Sequence, residues 1–122
     1  MISRYEIEIG EYSWLQVIDE FAFSLSSINN IVIPSSLSVI GDYAFCGCKQ
    51  LQRVEILENT KLEKIGKGAF SGSSIESIYI PVNITRICDS TFSECRNLSK
   101  IDISTNSILQ IIGNNTFNNC FL

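Results

Sequence analysis

The 122-residue chain contains no histidine, and only two prolines and seven glycines. Without imidazole, hydrolases that use it as general base are disfavoured, and tetrahedral zinc sites lose one of their usual ligands. So little Pro and Gly excludes a collagenous or low-complexity chain. Positive charge is also scarce. Nine Lys and Arg face thirteen Asp and Glu, for a net charge of −4 and no basic cluster, whereas a dedicated nucleic-acid binder carries a basic stripe that neutralises phosphates. Apolar runs are only a few residues long, far short of the roughly 20 needed to span a bilayer. Residues 1–10 place Arg4 inside a strand-like alternation with no apolar segment of a secretory signal. Gly66-Lys67-Gly68 lacks the spacing of either nucleotide fingerprint, so no cofactor is expected.

What is present is a repeat. The pairs Ala22-Phe23, Ala44-Phe45, Ala69-Phe70, Thr91-Phe92 and Thr116-Phe117 lie 22, 25, 22 and 25 residues apart. Five residues before each Phe stands Ile18, Ile40, Ile65, Ile87 or Ile112, and three before those Leu15, Leu37, Leu62, Ile84 or Leu109. Three residues after each Phe comes a small residue: Ser26, Cys48, Ser73, Cys95 or Cys120. Then follow alternating pairs, Ile31/Ile33, Val54/Ile56, Ile78/Ile80 and Ile101/Ile103, whose period of two marks a short strand with one buried face. Ile7 and Ile9 occupy the same columns ahead of the first complete unit.

A repeat this short cannot bury its own apolar face, so copies must stack around one continuous core as a solenoid. The alternation makes the true unit a double repeat of 47 residues. The 22-residue units leave the strand through Pro34 or Pro81, where a missing backbone donor is tolerated. The 25-residue units carry three extra residues, expected to bulge within 57–61 and 104–108. Gly41, Gly66 and Gly113 share a column and are expected to supply an unusual backbone angle at a corner of the coil.

Ile28 to Pro34, Leu37 to Phe45 and Cys48 resemble the leucine-rich repeats of the BspA-like surface proteins, read as L-x-x-I-x-I-P, V-x-x-I-G-x-x-A-F and x-x-C. Leu62 to Phe70 followed by Ile75 to Pro81 also looks like the alternating units of the trichomonad-type members. The departures are Thr91 and Thr116 for Ala, Cys88 and Asp19 for Gly, and Ser26 and Ser73 for Cys. The resemblance implies an α/β repeat solenoid: a right-handed coil with a parallel concave sheet and short turns or 3₁₀ segments on the convex side. Residues 1–122 then form one leucine-rich-repeat domain of about five units, expected to be a segment of a longer array because both ends lack polar caps. Uncapped ends also raise the expectation of end-to-end self-association.

Of five cysteines, Cys48, Cys95 and Cys120 occupy the small-residue column and read as buried core residues, while Cys46 is left open to solvent. Cys95 and Cys120 lie in adjacent coils, so an oxidising compartment could join them. A metal site is not expected. The carboxylate pairs Asp19-Glu20 and Glu6 with Glu8 read as solvated surface, so no catalytic residue is assigned. Asn83, Asn97 and Asn114 begin N-x-S/T triplets, glycosylation acceptors in a secreted protein and chance triplets otherwise.

The strand positions pointing away from the core carry the functional expectation. Between the buried pairs stand Glu8, Val32, Glu55, Tyr79 and Asp102, and just before them Glu6, Asn30, Arg53, Ser77 and Lys100. The acids recur every 47 residues, as do Val32 and Tyr79. Such a banded surface suits a protein or glycan ligand, with Tyr79 as aromatic anchor and Arg53 and Lys100 as polar contacts. The bland alternative is a sheet that avoids like-charge neighbours and stays soluble. By resemblance the function is a non-catalytic adhesion module, at the cell surface or secreted, that binds a host, matrix or microbial partner. The alternative is an intracellular, cytoplasmic scaffold or regulatory repeat protein.

Overall fold

The computed structural model describes residues 6–8 and 14–122, the former as backbone only. Each coil contributes one long and one short strand. The long strands are β1 (Glu6–Glu8), β3 (Asn30–Ile33), β5 (Arg53–Ile56), β7 (Ser77–Ile80) and β9 (Lys100–Ile103). The short ones are β2 (Val17–Ile18), β4 (Val39–Ile40), β6 (Lys64–Ile65), β8 (Arg86–Ile87) and β10 (Ile111–Ile112). All pairing is parallel, between equivalent columns: Glu6 opposite Asn30, Asn30 opposite Arg53, and Ser77 opposite Lys100. Where one sheet was expected there are two ladders. The second, β2-β4-β6 and β8-β10, is built from the columns ending in Ile18, Ile40, Ile65, Ile87 and Ile112. Ile9 lies outside the described residues.

Alternation sets what is buried. Ile31, Ile33, Ile78 and Ile80 face inward from the long strands, Ile40 and Ile65 from the short ones, and Leu37, Leu62 and Ile84 close the gap between. Phe45, Phe70 and Phe92 are fully buried. Their rings join Phe23 and Phe117 in one stack with centroids 5.2–6.0 Å apart and planes within 7°. The spacing is 5.2–5.3 Å among the coils carrying Ala before the Phe and 5.9–6.0 Å where Thr91 or Thr116 replaces it.

The Phe segment is a run of turns, and the described residues contain no helix. The residue two before each Phe has φ near +58° (Phe21, Tyr43, Gly68, Ser90, Asn115), and the residue two after lies between +61° and +72° (Leu25, Gly47, Gly72, Glu94, Asn119). Left-handed residues at both positions prevent a helical turn from propagating. They also aim every second N–H at the next coil. Tyr43, Phe45 and Gly47 donate to the Lys67, Ala69 and Ser71 carbonyls at 2.7–2.8 Å, and every coil junction repeats the pattern. A third ladder therefore joins the coils on the turn side.

Gly41, Gly66 and Gly113 are needed for proximity rather than for an unusual angle, which corrects the expectation. Their φ values are not positive; a Cβ on each would stand 2.6 Å from the backbone nitrogen of Glu20, Asp42 or Asp89 in the preceding coil. The bulge is likewise redistributed. Only two of the three extra residues lie between the strand and the next Leu (Ile56 to Leu62 against Ile33 to Leu37); the third follows Cys48 or Cys95. In short units Leu37 and Ile84 N–H close a turn on the Pro34 and Pro81 carbonyls. In long units Thr60 and Ser107 close the turn, and their hydroxyls accept the Leu62 and Leu109 N–H at 3.0–3.1 Å.

Candidate binding face

The outward columns of the long strands assemble as the alternation demands. Asn30 and Arg53 pair in one row, Val32 and Glu55 in the next, then Ser77 with Lys100 and Tyr79 with Asp102. Arg53, Glu55, Ser77, Lys100 and Asp102 are exposed, while Asn30, Val32 and Tyr79 are half-buried. Lys100 Nζ lies 3.6 Å from Asp102 Oδ1, a pair exposed enough that water screens most of its attraction. Glu6 and Glu8 share the register of β1, but their side chains lie outside the described residues.

Tyr79 departs from a purely outward anchor: its ring also packs on the core cluster. Beside it opens a cavity of about 390 Å³, lined by Glu58, Tyr79, Val82, Ile103, Ser104, Thr105 and Asn106. Here a 22-residue unit, carrying Tyr79 and Val82, sits between the longer turns of its two neighbours, which supply Glu58 and Thr105 with Asn106. The residues around Tyr79 were missed by column reading, since they fall in the variable stretch after the strand. The 22/25 alternation was the available signal.

The thiols belong to the scaffold. Cys48 and Cys95 are fully buried and Cys120 half-buried; their Sγ atoms donate to the Phe23, Phe70 and Phe92 carbonyls of the preceding coils at 2.9–3.1 Å. Burial raises the pKa of all three, that of Cys95 to about 11. All five cysteines are unpaired, and Cys46 is half-buried rather than open to solvent. Among the described residues no group of three or more Cys, Asp or Glu could hold a metal ion, and no helix is long and apolar enough to cross a membrane. Asn83, Asn97 and Asn114 are exposed. In the last triplet, however, the Thr116 hydroxyl is buried and donates to the Gly113 carbonyl at 2.7 Å.

Parallel coils with apolar columns, a small-residue column and paired outward columns define a leucine-rich-repeat solenoid. The family model of the BspA type leucine rich repeat region matches residues 16–122 in six copies, and the chain belongs to that family. The fold is similar to that of the pneumococcal vaccine antigen PcpA, at 24% identity and a TM-score of 0.68, covering 93% of this chain and 33% of that one. A leucine rich cell surface protein from Faecalibacterium prausnitzii is 21% identical, TM-score 0.53, with 87% and 41% covered. The leucine-rich-repeat protein of T. pallidum is 19% identical, TM-score 0.52, with 96% and 77% covered. At these identities the likeness shows the fold. The chain spans about a third of the first of these proteins and two fifths of the second. No curated protein matches the chain.

Proposed function

We propose that this chain is a non-catalytic adhesion module that grips a protein or glycan on a host, matrix or microbial surface through the outward faces of its long strands. The observation that carries the reading is the register: Asn30, Val32, Arg53 and Glu55, then Ser77, Tyr79, Lys100 and Asp102, stand in rows on fixed backbone. Side chains pre-positioned in this way lose little conformational freedom on binding. Membership of the BspA-type family and a likeness to proteins described as a vaccine antigen and a cell surface protein support a surface address. Five unpaired thiols favour a second reading, an intracellular scaffold, because disulfides persist in oxidising compartments.

The test coats beads with the chain and measures attachment to matrix preparations and to a glycan array. Arg53→Glu with Asp102→Lys should weaken attachment tenfold or more, about 1.4 kcal/mol, without moving the melting midpoint. Loss of attachment on changing the turn residues Ser93 and Asn118, with the strand variants unaffected, would shift the binding face to the turns. Surface labelling of intact source cells separates adhesin from scaffold.

A further inference from the structure

Three ladders join every pair of adjacent coils except one pair. Between the Phe70 and Phe92 coils neither β5 and β7 nor β6 and β8 are hydrogen-bonded neighbours, although the turn ladder passes through Gly68, Phe70 and Gly72 unbroken and the Ser74 and Glu76 N–H groups donate to the Leu51 and Gln52 carbonyls just ahead of β5 and β7. On the short-strand side the break coincides with a change in the glycine column. Gly41, Gly66 and Gly113 donate N–H to the Ile18, Ile40 and Ile87 carbonyls at 2.7–2.8 Å, an approach that leaves no room for a Cβ. Cys88 holds the same column in the Phe92 coil and carries that Cβ. The strands part, and a cavity of about 380 Å³ opens, lined by Glu63, Lys64, Asn83, Thr85, Arg86 and Cys88.

Two cations face the opening. The column before the buried Ile of the short strands reads Val17, Val39, Lys64, Arg86 and Ile111, so charge enters it only on the two sides of this seam. Among the described residues the ion pairs are Arg96–Glu94 and Lys100–Asp102, which leaves Lys64 and Arg86 without a carboxylate partner. Like charges on neighbouring strands repel, which further opposes closure. Glu63 offsets one of them, for a net charge of +1 at the cavity, and the Asn83 amide and Thr85 hydroxyl add neutral donors.

We propose that the seam binds a tetrahedral oxyanion, a sulfate or phosphate group, held between Lys64 and Arg86. Such an anion accepts charge-assisted hydrogen bonds from both cations at once and relieves their repulsion. It fits a space that Cys88 keeps open. The same group can arrive as a free inorganic ion or as an ester on an anionic polysaccharide, and the test separates the two.

The intact chain, produced without glycosylation, is titrated with inorganic sulfate and separately with a sulfated disaccharide, at constant ionic strength made up with chloride. Thermal midpoint and amide chemical shifts are recorded. Binding should raise the midpoint and shift the amides of residues 63–66 and 85–88. Lys64→Gln with Arg86→Gln should weaken binding about tenfold or more, since both charged donors are lost. Cys88→Gly should raise the midpoint of the free chain by letting the ladder close, and weaken binding by removing the space. Tighter binding of the disaccharide than of sulfate assigns the polymer as source, and equal binding assigns the free ion. No response to either probe beyond the chloride control overturns the proposal. So does a response that survives the cation double variant, or unchanged affinity in Cys88→Gly.

Discussion

Cys95 illustrates how a column position sets a residue's chemistry. Its thiol is buried and donates to the Phe70 carbonyl, and burial raises its pKa from 9.0 to about 11. Below pH 9 the thiol is protonated in both folded and unfolded chains. Between pH 9 and 11 the unfolded chain loses the proton first, so stability falls as pH rises through that window. The loss from Cys95 is on the order of 2–3 kcal/mol. Denaturant titrations from pH 8 to 11 should show the decline, and Cys95→Ser should lessen it, leaving the smaller contributions of Cys48 and Cys120. Phe70→Ala, which breaks the ring stack at its buried centre, should cost about 3–5 kcal/mol in the same experiment. Gly66→Ala should cost about 1–3 kcal/mol by overpacking, because its Cβ meets Asp42 backbone; a neutral result there would remove the close-approach explanation. At this scale the sequence was largely legible, because every inward position recurs with the same shape. The glycine column was recognised but its cause was not. A glycine needed for proximity and one needed for positive φ look alike until the neighbouring backbone is placed.

The turn is where element-level reading fell short. A 3₁₀ segment is compatible with the sequence because nothing in Phe21, Leu25, Tyr43, Ser90 or Glu94 announces a left-handed residue; only Gly47, Gly68, Gly72, Asn115 and Asn119 hint at it. Bulky side chains accept that conformation because three cross-coil hydrogen bonds at each turn hold it. The strands were legible from their period of two, and the register of Asn30 with Arg53 and of Ser77 with Lys100 followed from the columns. Tyr79 is the exception within the face. Since its ring also packs on the core, Tyr79→Ala should lower the melting midpoint as well as any attachment, while reversal of exposed Arg53 should affect attachment alone. Equal, small thermal effects from both would return Tyr79 to a fully outward role.

Across the whole molecule, stability in a stack of repeats is a sum over coils and the junctions between them. The Phe70 to Phe92 junction lacks both strand ladders, and the final coil leaves Ile103, Ile108, Ile111 and Ile112 exposed. That apolar surface should make the 122-residue chain associate with rising concentration in sedimentation velocity, and Ile111→Lys should reduce the effect. The molecule is a coil held by three ladders and opened at one seam. Amide hydrogen exchange, resolved by residue, tests it most directly. Strong protection is expected at Phe45 and Phe70 on the turns and at Gly66 on the short-strand side, with faster exchange at Cys88 than at Gly66. Turn amides exchanging as fast as loops, or Cys88 protected as well as Gly66, would contradict it.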